Sequence, residues 1–185
     1  MFSRVCQIKL SRFPHFGTVE KSAKMIYCKL VKLSLAIIVA FTSLALCAST
    51  LSGKVVRIAD GDTCTVLDSS NTQHKIRLDK IDAPESKQAY GNKAKEHLAG
   101  MIAGKEVSVE WKKKDQYGRV LGEIFVGELN VNLQMVKDGY AWHYKHFDKT
   151  ESYAQAESEA RAKKLGLWQD ANPVNPYEFR KSKRK

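Results

Sequence analysis

The feature that most limits the possible folds is a series of short strand-like runs separated by turn residues. Residues 53–59 (GKVVRIA), 63–67 (TCTVL) and 73–79 (QHKIRLD) are β-branched or alternate between apolar and polar side chains. The segments between them, DGD at 60–62 and DSSN at 68–71, consist of residues that favour tight turns. We therefore predict three strands joined by tight turns.

The chain beyond residue 90 combines helical and strand patterns. Apolar spacing, capping residues and closing glycines predict helices over 91–103, 130–138 and 149–165, and strands over 105–113 and 119–126. Asn130 and Asp148 are the predicted N-caps of the second and third helices. Five short strands with three helices favour a mainly β fold with α additions (α+β), a five-stranded OB-fold barrel rather than a sandwich.

An uncharged apolar run, LSLAIIVAFTSLALCA at residues 33–48, follows two lysines near the start of the chain. This order is typical of an export signal, and the run is shorter than the roughly 20 apolar residues of a membrane span. We predict an N-terminal extension and export signal over 1–48, with translation starting at Met25, in a periplasmic or secreted protein. An uncleaved leader or a lipidated Cys47 would instead anchor it to a membrane.

The remaining residues divide into a folded domain over 49–170 and a Pro-containing strap with a basic tail over 171–185. Residues 172–177 (NPVNPY) cannot continue a helix and are expected to pack as an extended strap. After removal of the leader only Cys64 would remain, so no internal disulfide is expected. We interpret Cys64 as a small apolar strand residue rather than a catalytic thiol.

The positive charge of the chain is concentrated at its two ends. The sequence has 31 Lys and Arg and 20 Asp and Glu, a formal net charge of +11. Twelve of the basic residues and one acid lie in 1–48 and 180–185, which leaves 19 of each sign for 49–179. Attraction to a polyanion must therefore come from local patches, such as the lysines at 112–114, and from the tail.

Two acidic loops lie near predicted strand ends, DGDT at 60–63 and DAPE at 82–85. Alone, each loop could be an ordinary turn or helix cap, and Arg77 or Arg119 could be a solvated strand residue. Together they supply what phosphodiester cleavage requires. Carboxylates bind Ca²⁺ or Mg²⁺, a further carboxylate activates water, and guanidinium groups stabilise charge on phosphate oxygens.

In order along the chain, DGDT at 60–63, Arg77 followed by DAPE at 82–85, and DQYGR at 115–119 resemble the staphylococcal nuclease (thermonuclease) family. The likeness spans roughly residues 53–168. Three further segments are similar to exported bacterial members: QAYG at 88–91, GLW at 166–168 and NPVNP at 172–176.

The resemblance implies one Ca²⁺ bound by Asp62, Asp82 and the main-chain carbonyl of Ala83, with Glu85 contacting it through water. Ala83 stands where the staphylococcal enzyme has Thr, a change that a carbonyl ligand tolerates. It also implies that Glu85 is the general base and that Arg77 and Arg119 bind the phosphate and stabilise its transition state.

By the same likeness, the substrates are DNA and RNA and the products end in 3′-phosphate. We infer no obligate protein partner and expect a monomer that meets a membrane only through an uncleaved leader.

Substrate contacts outside these motifs are less defined by the sequence. Tyr117 and Tyr144 are candidates to stack on a nucleotide or bond its phosphate, although either could be a core aromatic. Lys113 is a candidate for substrate affinity. His143 and His146 are interpreted as surface residues.

Two other classes of function remain open at this point. One is a non-catalytic OB-fold module that binds single-stranded nucleic acid. The other, a calcium-dependent adhesion or structural protein, would leave Arg77 and Arg119 unexplained.

Overall fold

The computed structural model describes residues 49–183. The predicted leader, its start at Met25 and Cys47 lie outside the described residues. Within the described part of the chain, no helix has both the length and the apolar content needed to cross a bilayer.

Five long strands close into a barrel, which confirms the predicted OB-type α+β fold. The strand order is β3-β2-β1-β5-β6-β7, and a parallel pairing of β3 with β6 closes the sheet, while β4 and β8 form a separate two-residue pair. The strands are β1 Ser49–Ile58, β2 Thr63–Asp68, β3 Gln73–Leu78, β4 Ile81–Asp82, β5 Glu106–Lys114, β6 Val120–Val126, β7 Leu129–Asn130 and β8 Trp142–His143.

Strand β1 is shared by both sides of the barrel and starts earlier than predicted. Its residues 49–54 pair with β5 and its residues 53–58 pair with β2. At the overlap, a Cβ on Gly53 would collide with the carbonyl oxygen of Leu67. Glycine is therefore needed where the strand changes partner, because only a residue without a side chain allows this approach.

In residues 49–183, four helices and one 3₁₀ turn surround the barrel. They are α1 Gly91–Ile102, α2 Val131–Lys137, α3 Glu151–Ala162, the 3₁₀ turn Gly166–Gln169 and α4 Pro176–Ser182. The three predicted helices are confirmed, and the predicted cap of α2 is present, because the side chain of Asn130 accepts a hydrogen bond from the Leu133 amide at 3.0 Å.

The N-cap predicted for α3 is wrong by two residues. Thr150, not Asp148, precedes the first helical residue. The Asp148 carboxylate instead accepts hydrogen bonds from the backbone and hydroxyl of Thr150, at 3.1 and 2.7 Å, and lies 2.8 Å from Nε2 of His143. Asp148 thus fixes the turn before the helix.

The predicted extended strap ends at Asn175, and a fourth helix follows it. The Asn175 side chain accepts a hydrogen bond from the Tyr177 amide at 2.9 Å, and Pro176 occupies the first helical position. Proline is favourable there because its missing N–H would have no partner in the helix. The first part of the predicted basic tail therefore belongs to helix α4.

The core fills the barrel and continues under α1 and α2. Buried strand residues such as Val66, Ile76 and Ile124 pack with Leu98 and Met135 from the two helices. A second, smaller apolar cluster joins α3 to the 3₁₀ turn, and it contains Ala160, Leu167 and Trp168 with Tyr90 and Trp142 against them.

Cys64 lies in the main core. Its burial, and next the charge of Asp60, raises the pKa of the thiol to about 12. A thiol held in its protonated form is a poor nucleophile, which supports the interpretation of Cys64 as a packing residue.

Candidate active site

The turn between β1 and β2 presents the first acidic pair. The Asp60 carboxylate accepts a hydrogen bond from the Asp62 amide at 3.0 Å, which closes the turn. Burial, and next the charge of Asp62, raises the pKa of Asp60 to about 6. The Asp62 carboxylate reaches the second acidic loop, where it accepts a hydrogen bond from the Ala83 amide at 2.8 Å.

Two glycines allow the DAPE loop to lie against this turn. A Cβ on Gly61 would come within 2.8 Å of the Cβ atoms of Ala83 and Ala94. A Cβ on Gly91 would collide with the carbonyl oxygen of Glu85. Neither contact leaves room for a side chain on the glycine. The loop that carries Glu85 is thus held closely between the acidic turn and the start of α1.

A buried amide fixes the start of the same loop. The Asn132 side chain on α2 donates to the carbonyl oxygens of Asp79 and Gly122 at 2.9 and 3.0 Å, and it accepts from the Ile124 amide at 3.0 Å. Because a buried amide that loses these partners is costly, Asn132 fastens the end of β3 to β6.

Arg77 lies at the centre of the acidic loops. Its Nη1 donates to the carbonyl oxygens of Leu78 and Ile81 at 2.7 and 3.0 Å. Its Nη2 lies 3.1 Å from Oδ2 of Asp62 and 3.1 Å from Oδ1 of Asp82. Arg77 therefore joins the two carboxylates that the sequence predicts as metal ligands and holds the backbone between them.

Asp82 is almost completely buried and is shared by two arginines. Besides Arg77, the guanidinium of Arg180 on helix α4 contacts it through two bonds, Nη1 to Oδ1 at 3.0 Å and Nη2 to Oδ2 at 2.9 Å. Burial raises the pKa of Asp82, against the effect of the Arg180 hydrogen bonds. The Nη1 atom of Arg180 also lies 2.9 Å from Oε1 of Glu85, whose side chain is 39% exposed.

The donor set fits a hard divalent cation. Asp62, Asp82 and Glu85 offer only carboxylate oxygens, which are the ligands that Ca²⁺ prefers. Within residues 49–183, no three Asp, Glu, His or Cys side chains converge as a ready metal site. The guanidinium of Arg180 lies against Asp82 and Glu85 in this structure, so this place already accommodates a positive charge.

Arg119 lies on the neighbouring hairpin and not among the carboxylates. Its Nε atom is 2.7 Å from Oδ2 of Asp115, in the turn that joins β5 to β6. The same carboxylate accepts hydrogen bonds from the amides of Tyr117 and Arg119, both at 2.9 Å. In the described residues, the ion pair of Arg119 is therefore with Asp115 rather than with Asp62, Asp82 or Glu85.

The candidate substrate contacts surround these groups. Tyr117 is 71% exposed, and the Arg119 guanidinium lies 5.6 Å from its ring centroid. Lys113 is exposed on β5 and pairs with Leu121 of β6. Leu121 pairs on its other side with Arg77 of β3. Tyr117 is thus a surface aromatic, not a core residue.

Tyr144 lies at the mouth of the site, because the pairing of β4 with β8 brings its segment beside Asp82. Its amide donates to the Lys80 carbonyl at 2.8 Å. Partial burial, and next the charge of Asp82, raises the pKa of its hydroxyl.

His146 is exposed as expected, but the surface interpretation of His143 is wrong, since that side chain is buried and bonded to Asp148.

Arg180 is the site residue that the sequence interpretation misses. It stands at the start of the predicted basic tail, although the pair Asn175-Pro176 is a recognisable helix start. That signal predicts a helix over the following turn. It does not predict the contact with Asp82, which is 98 residues away in the chain.

An OB-fold barrel that carries carboxylates and arginines has the groups that a nuclease, an enzyme that hydrolyses phosphodiester bonds, requires. Sequence comparison agrees with this class. The model of the family described as "Staphylococcal nuclease homologue" matches residues 75–170. The chain belongs to the staphylococcal nuclease homologue family, and its substrates are nucleic acids.

Similar proteins carry names consistent with this class. An endonuclease of Haemophilus influenzae, described as uncharacterized, is 42% identical over 161 residues, which cover 86% of this chain and 89% of that protein. An uncharacterized endonuclease of Escherichia coli is 43% identical over 139 residues, covering 75% and 90%. A micrococcal nuclease of Shigella flexneri is 42% identical over 142 residues, covering 70% and 80%. These names favour the hydrolase over the non-catalytic binding module.

Proposed function

We propose that this protein is a calcium-dependent endonuclease that hydrolyses DNA and RNA and leaves 3′-phosphate ends. The observation that carries the proposal is that Arg77 contacts Asp62 and Asp82 and that Arg180 links Asp82 to Glu85 at the same end of the barrel. The carboxylates offer hard oxygen ligands and a general base, and the Arg77 guanidinium offers a positive charge, within one continuous patch.

Asp62, Asp82 and the Ala83 carbonyl would hold the Ca²⁺ ion directly, and Glu85 would contact it through water. When bound, the ion would polarise a phosphate oxygen and offset the charge that develops there. The protein holds two of these ligands beside each other, because the Asp62 carboxylate is bonded to the Ala83 amide and Arg77 contacts both Asp62 and Asp82.

Glu85 is the proposed general base. Its carboxylate is accessible to water, unlike that of Asp82. It would take a proton from the water whose oxygen bonds to phosphorus, while the bond from phosphorus to the 5′ oxygen breaks. The 5′ oxygen leaves and gains a proton, and the phosphate stays on the 3′ oxygen.

The two arginines would have different contributions. Arg77, fixed by two carbonyl oxygens and two carboxylates, positions the acidic loops and places positive charge beside the phosphate. Arg119, 30% exposed and held by Asp115, would bind the substrate phosphate from the hairpin side. Guanidinium groups in such positions stabilise the charge of the transition state.

The test is cleavage of DNA and RNA by the purified protein with Ca²⁺ or with a chelator. We expect cleavage only with Ca²⁺. Glu85→Gln should lower the rate by roughly 10²- to 10⁴-fold and Arg119→Ala by roughly 10²- to 10³-fold. The matched controls, Glu110→Gln and Arg57→Ala, change exposed residues of the barrel and should leave the rate unchanged.

Three results would overturn parts of this proposal. Undiminished cleavage in chelator would exclude the metal, and a fully active Glu85→Gln variant would exclude the base. The third concerns the product ends: a DNA polymerase should extend them only after phosphatase treatment. Direct extension would contradict the 3′-phosphate assignment.

We also propose that the enzyme works as a monomer and outside the cytoplasm. Asp62, Arg77 and Asp82 contact one another within a single chain, so this part of the site needs no second subunit. The apolar run at 33–48 supports the second point. Light scattering would test the oligomeric state. Cell fractionation with the intact mass of the mature protein would test export and leader cleavage.

A further inference from the structure

Helix α4 delivers a positive charge to the proposed metal ligands. The guanidinium of Arg180 lies 3.0 Å from Oδ1 and 2.9 Å from Oδ2 of Asp82, and 2.9 Å from Oε1 of Glu85. These contacts engage both oxygens of one proposed ligand and one oxygen of another. Such paired contacts to a carboxylate are among the stronger hydrogen bonds in proteins.

A Ca²⁺ ion could not share these oxygens with Arg180. Calcium requires its oxygen ligands at about 2.3–2.6 Å. An ion bound to Asp82 at that distance would lie close to the guanidinium nitrogens that contact the same atoms, and the two positive charges would repel each other. Arg180, unlike Arg77, engages both oxygens of Asp82 and also Glu85, so binding of the ion and docking of Arg180 compete for the same carboxylates.

The rest of helix α4 is weakly attached to the protein. It has only seven residues, and Pro176 is the one that is buried. Phe179 lines a cavity of about 150 Å³ together with Pro84 and Gln88. A second cavity of about 310 Å³ lies on the side of Tyr177. Helices this short are not stable alone in water, so the helix depends on its few docking contacts.

The segment before the helix has an anchor of its own. The side chain of Gln88 donates to the Val174 carbonyl at 2.6 Å, and Gln88 Oε1 accepts from the Glu85 amide at 3.2 Å. If Arg180 leaves the carboxylates, the chain up to Val174 can therefore stay in place. The movement would begin at Asn175.

We propose that Arg180 is an internal competitor of the metal ion: helix α4 docks on Asp82 and Glu85 in the metal-free protein, and metal binding releases it. This inference rests on the proposed function, because it takes the two carboxylates as metal ligands. Its consequence is that the protein binds metal more weakly than its own ligand set would allow, and exposes its C-terminal helix when the metal binds.

Calorimetric titration with Ca²⁺ tests the competition. Arg180→Gln should bind Ca²⁺ about tenfold more tightly than the wild type, because the ion no longer has to break charge-assisted hydrogen bonds. Arg180→Lys, which keeps the charge but loses the paired geometry, should lie between them. The matched control is Lys181→Gln, which removes the same charge from an exposed position of the same helix and should leave the affinity within about twofold.

Hydrogen exchange tests the release. In the wild type, saturating Ca²⁺ should speed exchange of the helix amides from Tyr177 to Ser182 and slow exchange in the loop at 82–85. In Arg180→Gln, residues 176–182 should exchange fast with or without Ca²⁺.

Equal Ca²⁺ affinity of the wild type and Arg180→Gln, weaker binding by the variant, or unchanged exchange in 176–182 would each overturn the inference and leave the calcium site standing. Absence of Ca²⁺ binding by all variants would overturn both the calcium site and the inference.

Discussion

Arg77 and Arg180 contact the same carboxylate but belong to differently built regions. Arg77 comes from a central barrel strand, is 12% exposed, and has two backbone carbonyls among its partners. Arg180 comes from a short terminal helix, is 32% exposed, and forms its ion pairs with the side chains of Asp82 and Glu85. Arg77 is therefore part of the framework of the site, whereas Arg180 occupies the place proposed for the metal ion.

The difference shows how a charged site can be both rigid and accessible. The barrel end is held by buried backbone contacts and by glycines that admit no side chain, so its carboxylates keep their positions. The positive charge that these closely spaced carboxylates require comes partly from Arg77 and partly from Arg180, which can leave. Four substitutions or deletions would break or sharpen this comparison.

Arg77→Ala should have the largest effect. It removes the partner of two buried carboxylates, which typically costs about 3 kcal/mol of unfolding free energy, and it should lower the cleavage rate by at least roughly 10²-fold. Urea unfolding and single-turnover cleavage measure the two effects, with Arg57→Ala as the exposed control. An equal loss of stability in Arg180→Ala would contradict the distinction between the two arginines.

Gly91→Ala should have the next largest effect. The added Cβ collides with the Glu85 carbonyl, so the loop must shift, at a cost of about 1–3 kcal/mol, and cleavage should slow with it. The control lies in the same helix: a Cβ on Gly100 would meet only open space, and Gly100→Ala should add about 0.5–1 kcal/mol of stability. Equal thermal midpoints for the two variants would show that the loop is not held by this contact.

Deletion of the residues after Asn175 should cost less than about 1 kcal/mol, because the helix is short, only its Pro176 is buried, and it contributes little to the cooperative core. Thermal unfolding of the shortened protein beside the full chain measures this. A loss as large as that of Arg77→Ala would show that the helix belongs to the structural part of the site.

Lys113→Ala should have the smallest effect on stability, within about 0.5 kcal/mol, because the side chain is exposed. Its effect should appear in binding, where the slope of log affinity against log salt concentration falls by about one. Filter binding to DNA at several salt concentrations measures the effect on binding, and catalytic rates at saturating substrate measure any effect on catalysis. A lower saturated rate with an unchanged slope would place Lys113 in catalysis instead.

Much of the barrel and the acidic loops can be predicted because their signals are local. Alternation identifies β2 and β3. The residues between Asp62 and Glu85 are close in the chain, so the β2–β3 hairpin and the loop after it bring them together. The first helix is equally clear, since Ala94, Leu98 and Ile102 follow a helical spacing and are all buried.

The features that sequence reasoning misses depend on tertiary contacts. His143 belongs to a two-residue strand paired with Ile81, and two residues are too few to show an alternating pattern. Asp148 has the residue type and position of a helix cap, but its carboxylate is bonded to His143 and Thr150. The sequence around Arg180 does not indicate its contact with Asp82, because the partner of a basic residue in a polar helix is determined only by the folded chain.

The parallel pairing of β3 with β6 also has a kinetic consequence. Asp62, Arg77 and Asp82 can meet as soon as one hairpin and its following loop have formed, whereas Arg119 arrives only when Ile76 pairs with the distant Val120. Closure of such long loops is slow in β-rich proteins. During refolding, the acidic loops should therefore assemble before the hairpin that carries Arg119 is placed beside them.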